Sequence, residues 1–209
     1  MHGVGDVRFF DRMAPLYDRI MPPAKGELLA AGLDHATRPI DRLIDVGGGS
    51  GRAAAALTGP EITVVDVSLG MLRRARDARG LSAVAGDAGR LPFRDASVDA
   101  VTVVDAFHHL PDHDAALREA ARVIAPGGAL VIREFDPTHP LGRVLVAGEH
   151  AVGMASRFHS PDELAAALDD AGFDPRITER GFGYTVAGVR RAAEQGAVRD
   201  GTEDGPVRR

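Results

Sequence analysis

The chain has 209 residues, 44 % of them hydrophobic, a formal net charge of −5 and no cysteine. That length and apolar content suit one folded domain with a substantial core, not a disordered chain. The missing thiols exclude a disulfide frame, a zinc–thiolate centre and a cysteine nucleophile, and interspersed charges leave no basic face for nucleic acid.

No apolar stretch reaches the length of a membrane span, and no basic leader precedes an apolar run, so a soluble, cytoplasmic protein is expected. Lys25 is the only lysine among 25 basic residues, which fits GC-rich coding bias; a salt-adapted acidic surface is the other reading.

In chain order, Phe9, Met13, Leu16, Tyr17 and Ile20 recur at helical spacing and predict an amphipathic helix that Pro22-Pro23 ends. Its aromatics, Phe9, Phe10 and Tyr17, pack into a core or act as a lid that closes over a ligand. A second helix is expected from Lys25 to about Thr37, so residues 1–40 read as a helical N-terminal cap on a domain spanning 1–190. Arg42 to Val46 reads as a buried strand. It runs into the turn Gly47-Gly48-Gly49-Ser50-Gly51, and then into an alanine-rich helix over Ala53–Leu57. Glycines there allow a tight turn and close backbone approach, and a helix N-terminus supplies free N–H groups, so the turn predicts a cradle for an anionic small molecule.

Glu61–Val67 is a second strand. Ser68 caps the helix after it, with Met71, Leu72, Ala75 and Ala78 inward and Gly80 at its end. Strands are expected at Leu81–Ala85, Ser97–Val104 and Ala129–Phe135, and a helix at Asp112–Ile124 precedes the Pro126-Gly127-Gly128 turn. A further helix is expected at Leu141–Ala151. Ser160-Pro161-Asp162-Glu163 opens another by a capping box with proline at the first position. Asp174–Arg180 and Tyr184–Val189 form a terminal hairpin, and residues 191–209 a flexible tail. Strands alternating with helices predict a doubly wound parallel sheet, with its ligand beyond the carboxyl ends of the strands.

The polar residues of interest fall at those ends. Asp45 is placed to organise the glycine turn or to meet a ligand ammonium. Asp66 offers two oxygens to the hydroxyls of a ribose, or caps the helix at Ser68. Asp87 accepts the exocyclic amine of an adenine beside the Ala88 N–H, or makes an Asx turn. Asp105-Ala106-Phe107-His108-His109 follows the fourth strand, and a histidine there can take a proton from a substrate hydroxyl. His108, His109, His113 and Asp105 do not share one helical face as a His-Glu-x-x-His pair does, and no metal site is read from them.

The ordered set Asp45-Val46-Gly47-Gly48-Gly49-Ser50-Gly51, Asp66, Gly86-Asp87-Ala88, Leu91-Pro92-Phe93, His108-His109-Leu110-Pro111-Asp112 and Arg122–Gly128 resembles class I S-adenosylmethionine (SAM) methyltransferases over nearly the whole chain. The resemblance implies a Rossmann-like α/β sheet of seven strands with the last one antiparallel. It implies SAM as cofactor and S-adenosylhomocysteine as product. The cofactor residues it implies are Asp45, Gly47, Gly49, Gly51 and Asp66, with Val67, Met71, Asp87, Ala88 and Asp105. The N-terminal Phe9-Phe10-Asp11-Arg12-Met13-Ala14-Pro15-Leu16-Tyr17-Asp18 is similar to the start of ubiquinone/menaquinone C-methyltransferases, which carries Tyr17 over as a cofactor or substrate contact. Those enzymes have Arg-Asn where this chain has His108-His109, so the acceptor is read broadly, as a small molecule of quinol or phenol type. A phenolic acceptor needs a base; His109 is the first candidate and His108 the second. Oligomeric state stays open, a homodimer included. Two rivals remain: a SAM-binding protein without turnover, and a nicotinamide oxidoreductase suggested by Gly49-x-Gly51-x-x-Ala54, against which Asp66 follows too soon.

Overall fold

The strand-forming runs become β1 (Arg42–Val46), β2 (Glu61–Asp66), β3 (Ser82–Ala85), β4 (Val98–Val104), β5 (Ile124–Phe135), β6 (Phe173–Glu179) and β7 (Gly183–Arg190) in a computed structural model that describes residues 24–192. They form one seven-stranded sheet in the order β3-β2-β1-β4-β5-β7-β6. The first five strands pair in parallel, and β7 runs antiparallel to both β5 and β6, as the hairpin predicts. The segment expected to form an N-terminal helix, with Phe9, Phe10 and Tyr17, and nearly all of the segment expected as a C-terminal tail lie outside the described residues.

The helices are α1 (Gly26–Leu33), α2 (Leu69–Arg79), α3 (His113–Val123), α4 (Pro140–Ala151) and α5 (Pro161–Asp170). Successive strand residues point to opposite faces, and the two faces sort accordingly. Leu43, Ala100 and Val131 pack with Leu29 of α1, and Val64 and Ala83 with Leu72 and Ala75 of α2. On the other side Ile44, Val65, Val101 and Ile132 meet Leu117 of α3 and Leu164 and Leu168 of α5. A sheet covered on both faces requires the near-continuous apolar runs seen in β1 and β4.

The local signals place the helix ends. Ser68 caps α2 by accepting the Met71 N–H, and Gly80 ends it in the left-handed conformation. Ser160 and Glu163 complete the capping box of α5. Four expectations change. Ala78 is exposed, one step off the inner stripe of α2. The helix expected from Lys25 stops at Leu33, and α1 sits against β5, where a Cβ on Gly32 would fall 2.8 Å from Val131 Cγ1. It therefore belongs to the core layer and is no cap over the site. The fifth strand starts at Ile124, not Ala129: four residues of β5 oppose one of β4 between Val98/Ile124 and Ala100/Ala129, so Pro126-Gly127-Gly128 is a bulge inside the strand. The alanine-rich helix is a single 3-10 turn, Ala54–Ala56.

Candidate functional site

The strand order reverses direction at β1, whose neighbours are β2 and β4, so the loops after β1 and β4 diverge and leave a crevice above the carboxyl ends. A cleft of about 1070 Å³, its open mouth included, occupies that place. Its floor is Gly47-Gly48-Gly49. Its walls come from Asp66, Val67, Ser68 and Met71 after β2, from Gly86-Asp87-Ala88 after β3, and from Asp105, Ala106 and His109-Leu110-Pro111 after β4.

The glycines act for different reasons. A Cβ on Gly48 would lie 2.4 Å from Asp45 Oδ2, and one on Gly51 2.5 Å from Leu81 Cδ1, so both are packed from beneath. Gly49 has φ +55°, and a Cβ there finds only Asp66 Oδ2, at 4.0 Å: it would project into the cleft. Gly51 is buried and does not line the cleft.

The anion cradle expected from this turn does not form. Val65 O accepts the amides of Gly47 and Gly48, Gly48 O accepts that of Gly51, and Gly51 O that of Ala55. The Gly49 N–H donates to Asp66 Oδ2 at 2.9 Å. With the amides of Gly47, Gly48, Gly49 and Gly51 engaged within the protein and a 3-10 turn in place of a helix, these glycines present no N–H cluster to an anion. The cleft is instead lined by three carboxylates, Asp66, Asp87 and Asp105, with Arg52 3.9 Å from Asp105 Oδ2. An acid-lined site of this kind suits a ligand with cationic groups and several hydroxyl or amine donors.

Asp66 unites both roles considered for it. It accepts the Gly49 amide and, through Oδ1, the Ser68 amide at 2.8 Å, while still lining the cleft. The same carboxylate thus braces the loop and forms part of the cleft wall. Asp87 makes the Asx turn, its Oδ1 accepting the Gly89 N–H at 2.9 Å, and it lines the cleft with Ala88. Val67 and Met71 flank them, Val67 exposed and Met71 buried. Asp45 lies beneath the loop. It is fully buried, Oδ1 accepts the Thr102 hydroxyl at 2.7 Å, and Oδ2 has no partner. Burial pushes its carboxyl up to about 6. It supports the glycine floor and does not reach the cleft. Asp105 has φ +51°, a costly conformation for a non-glycine residue, fixed by its N–H donating to Arg133 O at 3.0 Å. Burial, and then the negative charge of Glu134, push its carboxyl up to about 6.

The two histidines, expected as equivalents, have different environments. They sit on the 3-10 turn Phe107–His109, with ring centroids 4.0 Å apart. His108 is buried and faces away from the cleft. Its Nδ1 is 2.7 Å from Glu134 Oε2, its Nε2 is 3.6 Å from Glu149 Oε1, and Phe158 stacks on it at 4.3 Å. Burial opposes the imidazolium, but Glu134 and Glu149 outweigh it and hold the ring proton up to about 10. His109 lines the cleft; burial and then the His108 charge pull it down to about 4, leaving a neutral imidazole near pH 7. Its Nδ1 is 3.3 Å from the Ser156 hydroxyl. Of the pair, His109 alone combines access to the cleft with a free base form. His113 lies apart, its ring tilted against that of Phe107 with centroids 4.4 Å apart.

Several participants escape sequence reasoning. Glu134 left a signal, a carboxylate near the carboxyl end of a largely apolar strand. Thr102, Glu149 and Ser156 left none, since only the fold brings them to the site.

A profile described as a methyltransferase domain matches residues 44–132. The chain is 41 % identical over 145 residues to a demethylmenaquinone methyltransferase of Mycolicibacterium vanbaalenii, an alignment covering 63 % of this chain and 61 % of that protein. It is 32 % identical to a malonyl-[acyl-carrier protein] O-methyltransferase of Methylococcus capsulatus, over 82 % of this chain and 68 % of that one. Among solved structures, a SAM-dependent methyltransferase of Thermotoga maritima, described as a possible histamine N-methyltransferase, superposes with a TM-score of 0.74 at 26 % identity, covering 88 % of this chain and 99 % of that one. The chain thus spans about three fifths of the length of the first of these relatives. Among the described residues no helix is long and apolar enough to cross a membrane.

Proposed function

We infer the activity from one premise: this chain belongs to the class I SAM-dependent methyltransferases. On that premise the cleft binds SAM, and the protein transfers a methyl group to a small-molecule hydroxyl or activated carbon of quinol or phenol type. The observation that carries this reading is the acid-lined, glycine-floored cleft at the switch between β1 and β4, with a neutral His109 on its wall.

The residues fit the cofactor. The one floor position where a Cβ would enter ligand space is glycine, at 49. Asp66 lines the cleft with a carboxylate, the group that pairs with ribose hydroxyls, and Asp87 beside the Ala88 N–H suits the edge of an adenine. Asp105 adds negative charge near the place a cationic group would take. SAM supplies a methyl group on a sulfonium, already activated for in-line displacement. The protein's contribution is then positional: the glycine floor and Met71 seat the ligand, and holding the acceptor in line supplies much of the rate. His109, a free base near pH 7, accepts the acceptor's proton. His108 is already protonated and does not. The relatives' acceptors, a demethylmenaquinone and the malonyl group of a malonyl-[acyl-carrier protein] by their names, support a small acceptor group here. Tyr17, outside the described residues, stays the proposed contact from the N-terminal segment.

Thermal-shift titration with SAM, S-adenosylhomocysteine, NAD and NADP tests the cofactor. Ligand at about 100 times its Kd adds roughly 2.7 kcal/mol. A shift with the two adenosyl-sulfur ligands alone is expected, followed by methyl transfer to a member of a quinol and phenol panel. A shift with NAD or NADP alone would refute the reading. SAM binding without turnover across the panel would favour a non-catalytic SAM-binding protein.

A further inference from the structure

We infer that His108, His109 and Glu149 form a binding site for a divalent transition-metal ion behind the wall of the cleft that His109 lines. One candidate ligand atom from each lies within 4.8 Å of the other two, and His108 Nε2 is already 3.6 Å from Glu149 Oε1. Atoms bound to one tetrahedral ion at about 2.0–2.2 Å sit roughly 3.4 Å apart, so small side-chain rotations close the set.

Three observations separate this trio from an ordinary cluster of ionisable groups. The first is an orienting carboxylate behind the histidine. Buried Glu134 takes His108 Nδ1 at 2.7 Å and the His108 backbone N–H at 3.2 Å, which turns Nε2 toward Glu149. A carboxylate on the far ring nitrogen is how metal-bound histidines are fixed in orientation and tautomer. The second is Glu149 Oε2, which is buried and has no hydrogen-bond partner, an expensive state for a carboxylate oxygen that a cation would relieve. The third is a cover packed on the histidines. The strap after α4 stacks Phe158 on His108, places the Ser156 hydroxyl 3.3 Å from His109 Nδ1, and donates the Arg157 N–H to His108 O at 2.8 Å.

Two imidazoles and one carboxylate, with no thiolate, suit zinc, cobalt, nickel or ferrous iron better than magnesium or calcium. Three protein ligands leave a coordination position open. Because His109 lines the cleft, that position can take an oxygen of a bound small molecule. His108 ligates as the neutral imidazole, so each ion bound displaces its Nε2 proton to solvent. With the ion present, His109 would serve as ligand in place of its role as base, and an acceptor hydroxyl at the open position would be acidified by the cation and lose its proton to solvent. This last role rests on the proposed methyl transfer; the metal binding does not.

The test is a Co²⁺ titration of the full chain, free of any histidine tag and stripped with chelator. The expected result is one equivalent bound with a visible d–d absorption, displaced by Zn²⁺ and not by Mg²⁺. Glu149→Gln and His109→Ala should each weaken binding at least about tenfold, and Glu134→Gln by about 10–100-fold. His35→Ala, distant in sequence and fold, should leave it unchanged. No stoichiometric cobalt binding, displacement by Mg²⁺, or binding unaltered by Glu149→Gln and His109→Ala would each overturn the site. S-adenosylhomocysteine titrations on the same samples report folding and keep the two readings apart. Failed cobalt binding with the nucleoside bound sinks the metal site alone, and the reverse sinks the methyltransferase reading alone.

Discussion

Gly49 and Gly51 sit two residues apart, both in the left-handed region, and should respond to the same substitution in opposite ways. Gly49→Ala places a methyl where the nearest protein atom is 4.0 Å away, so its stability cost is the backbone conformation alone, about 1–2 kcal/mol. For a chain of this size that lowers Tm by roughly 2–8 °C. The methyl points into the cleft, however, and S-adenosylhomocysteine affinity should fall at least tenfold, about 1.4 kcal/mol; Gly49→Val should lower it further. Gly51→Ala carries the same backbone cost at φ +81° and drives its methyl to 2.5 Å from Leu81 Cδ1. Overpacking adds about 1–3 kcal/mol. Its Tm should fall further, while the folded protein keeps affinity nearer wild type, because that methyl faces the core. Calorimetric titration with scanning calorimetry on the same samples measures both quantities. Wild-type affinity in Gly49→Ala, or a larger affinity loss in Gly51→Ala than in Gly49→Ala, would refute the placement of ligand above Gly49.

Asp66→Ala removes the acceptor for the Gly49 and Ser68 amides as well as the proposed ribose contact; stability should drop by about 1–3 kcal/mol, and S-adenosylhomocysteine affinity at least tenfold in calorimetry. His109→Ala should lower kcat in a methyl-transfer assay while S-adenosylhomocysteine affinity stays within about twofold of wild type; unchanged turnover would remove His109 from the proton path. His113 is buried with neither ring nitrogen partnered. Burial, then the charges of His159 and Arg157, lower it to about 4 against the pull of Glu134 and Asp114. Its folded pKa lies below the unfolded value of 6.5, so the unfolded chain binds the extra proton, and stability is lost as pH falls from 6.5 through 4, by up to about 3 kcal/mol from this group. Urea midpoints between pH 7 and pH 4 should show that loss, and His113→Phe should flatten it; an equally steep profile in the variant would exclude His113 as the source. Tyr184→Phe deletes the 2.8 Å bond from its hydroxyl to His159 O and should cost about 1 kcal/mol in chemical denaturation.

The sequence by itself determined the sheet, its helices and most of the wall of the cleft. Periodicity, caps and glycines act over neighbouring residues, so Ser68, Gly80 and the Ser160–Glu163 box mark helix ends without any tertiary information. Asp66, Asp87 and Asp105 could be placed on one rim because parallel strands bring their carboxyl ends together whatever else the chain does. The same logic failed where local preference met packing. The alanine run after Gly51 reads as a helix by propensity, yet it makes only one 3-10 turn, and the loop's inward-turned amides convert an expected anion cradle into an acid-lined cleft. Tertiary structure alone decided the chemistry of the histidines. His108 and His109 are adjacent in the chain and alike in type. Glu134 lies 26 residues from His108, and Glu149 arrives from a different helix. Charge and burial depend on distance in space, so the carboxylates that favour the charged form of one ring, while the other is neutral on the cleft wall, come together only when the sheet and α4 are assembled.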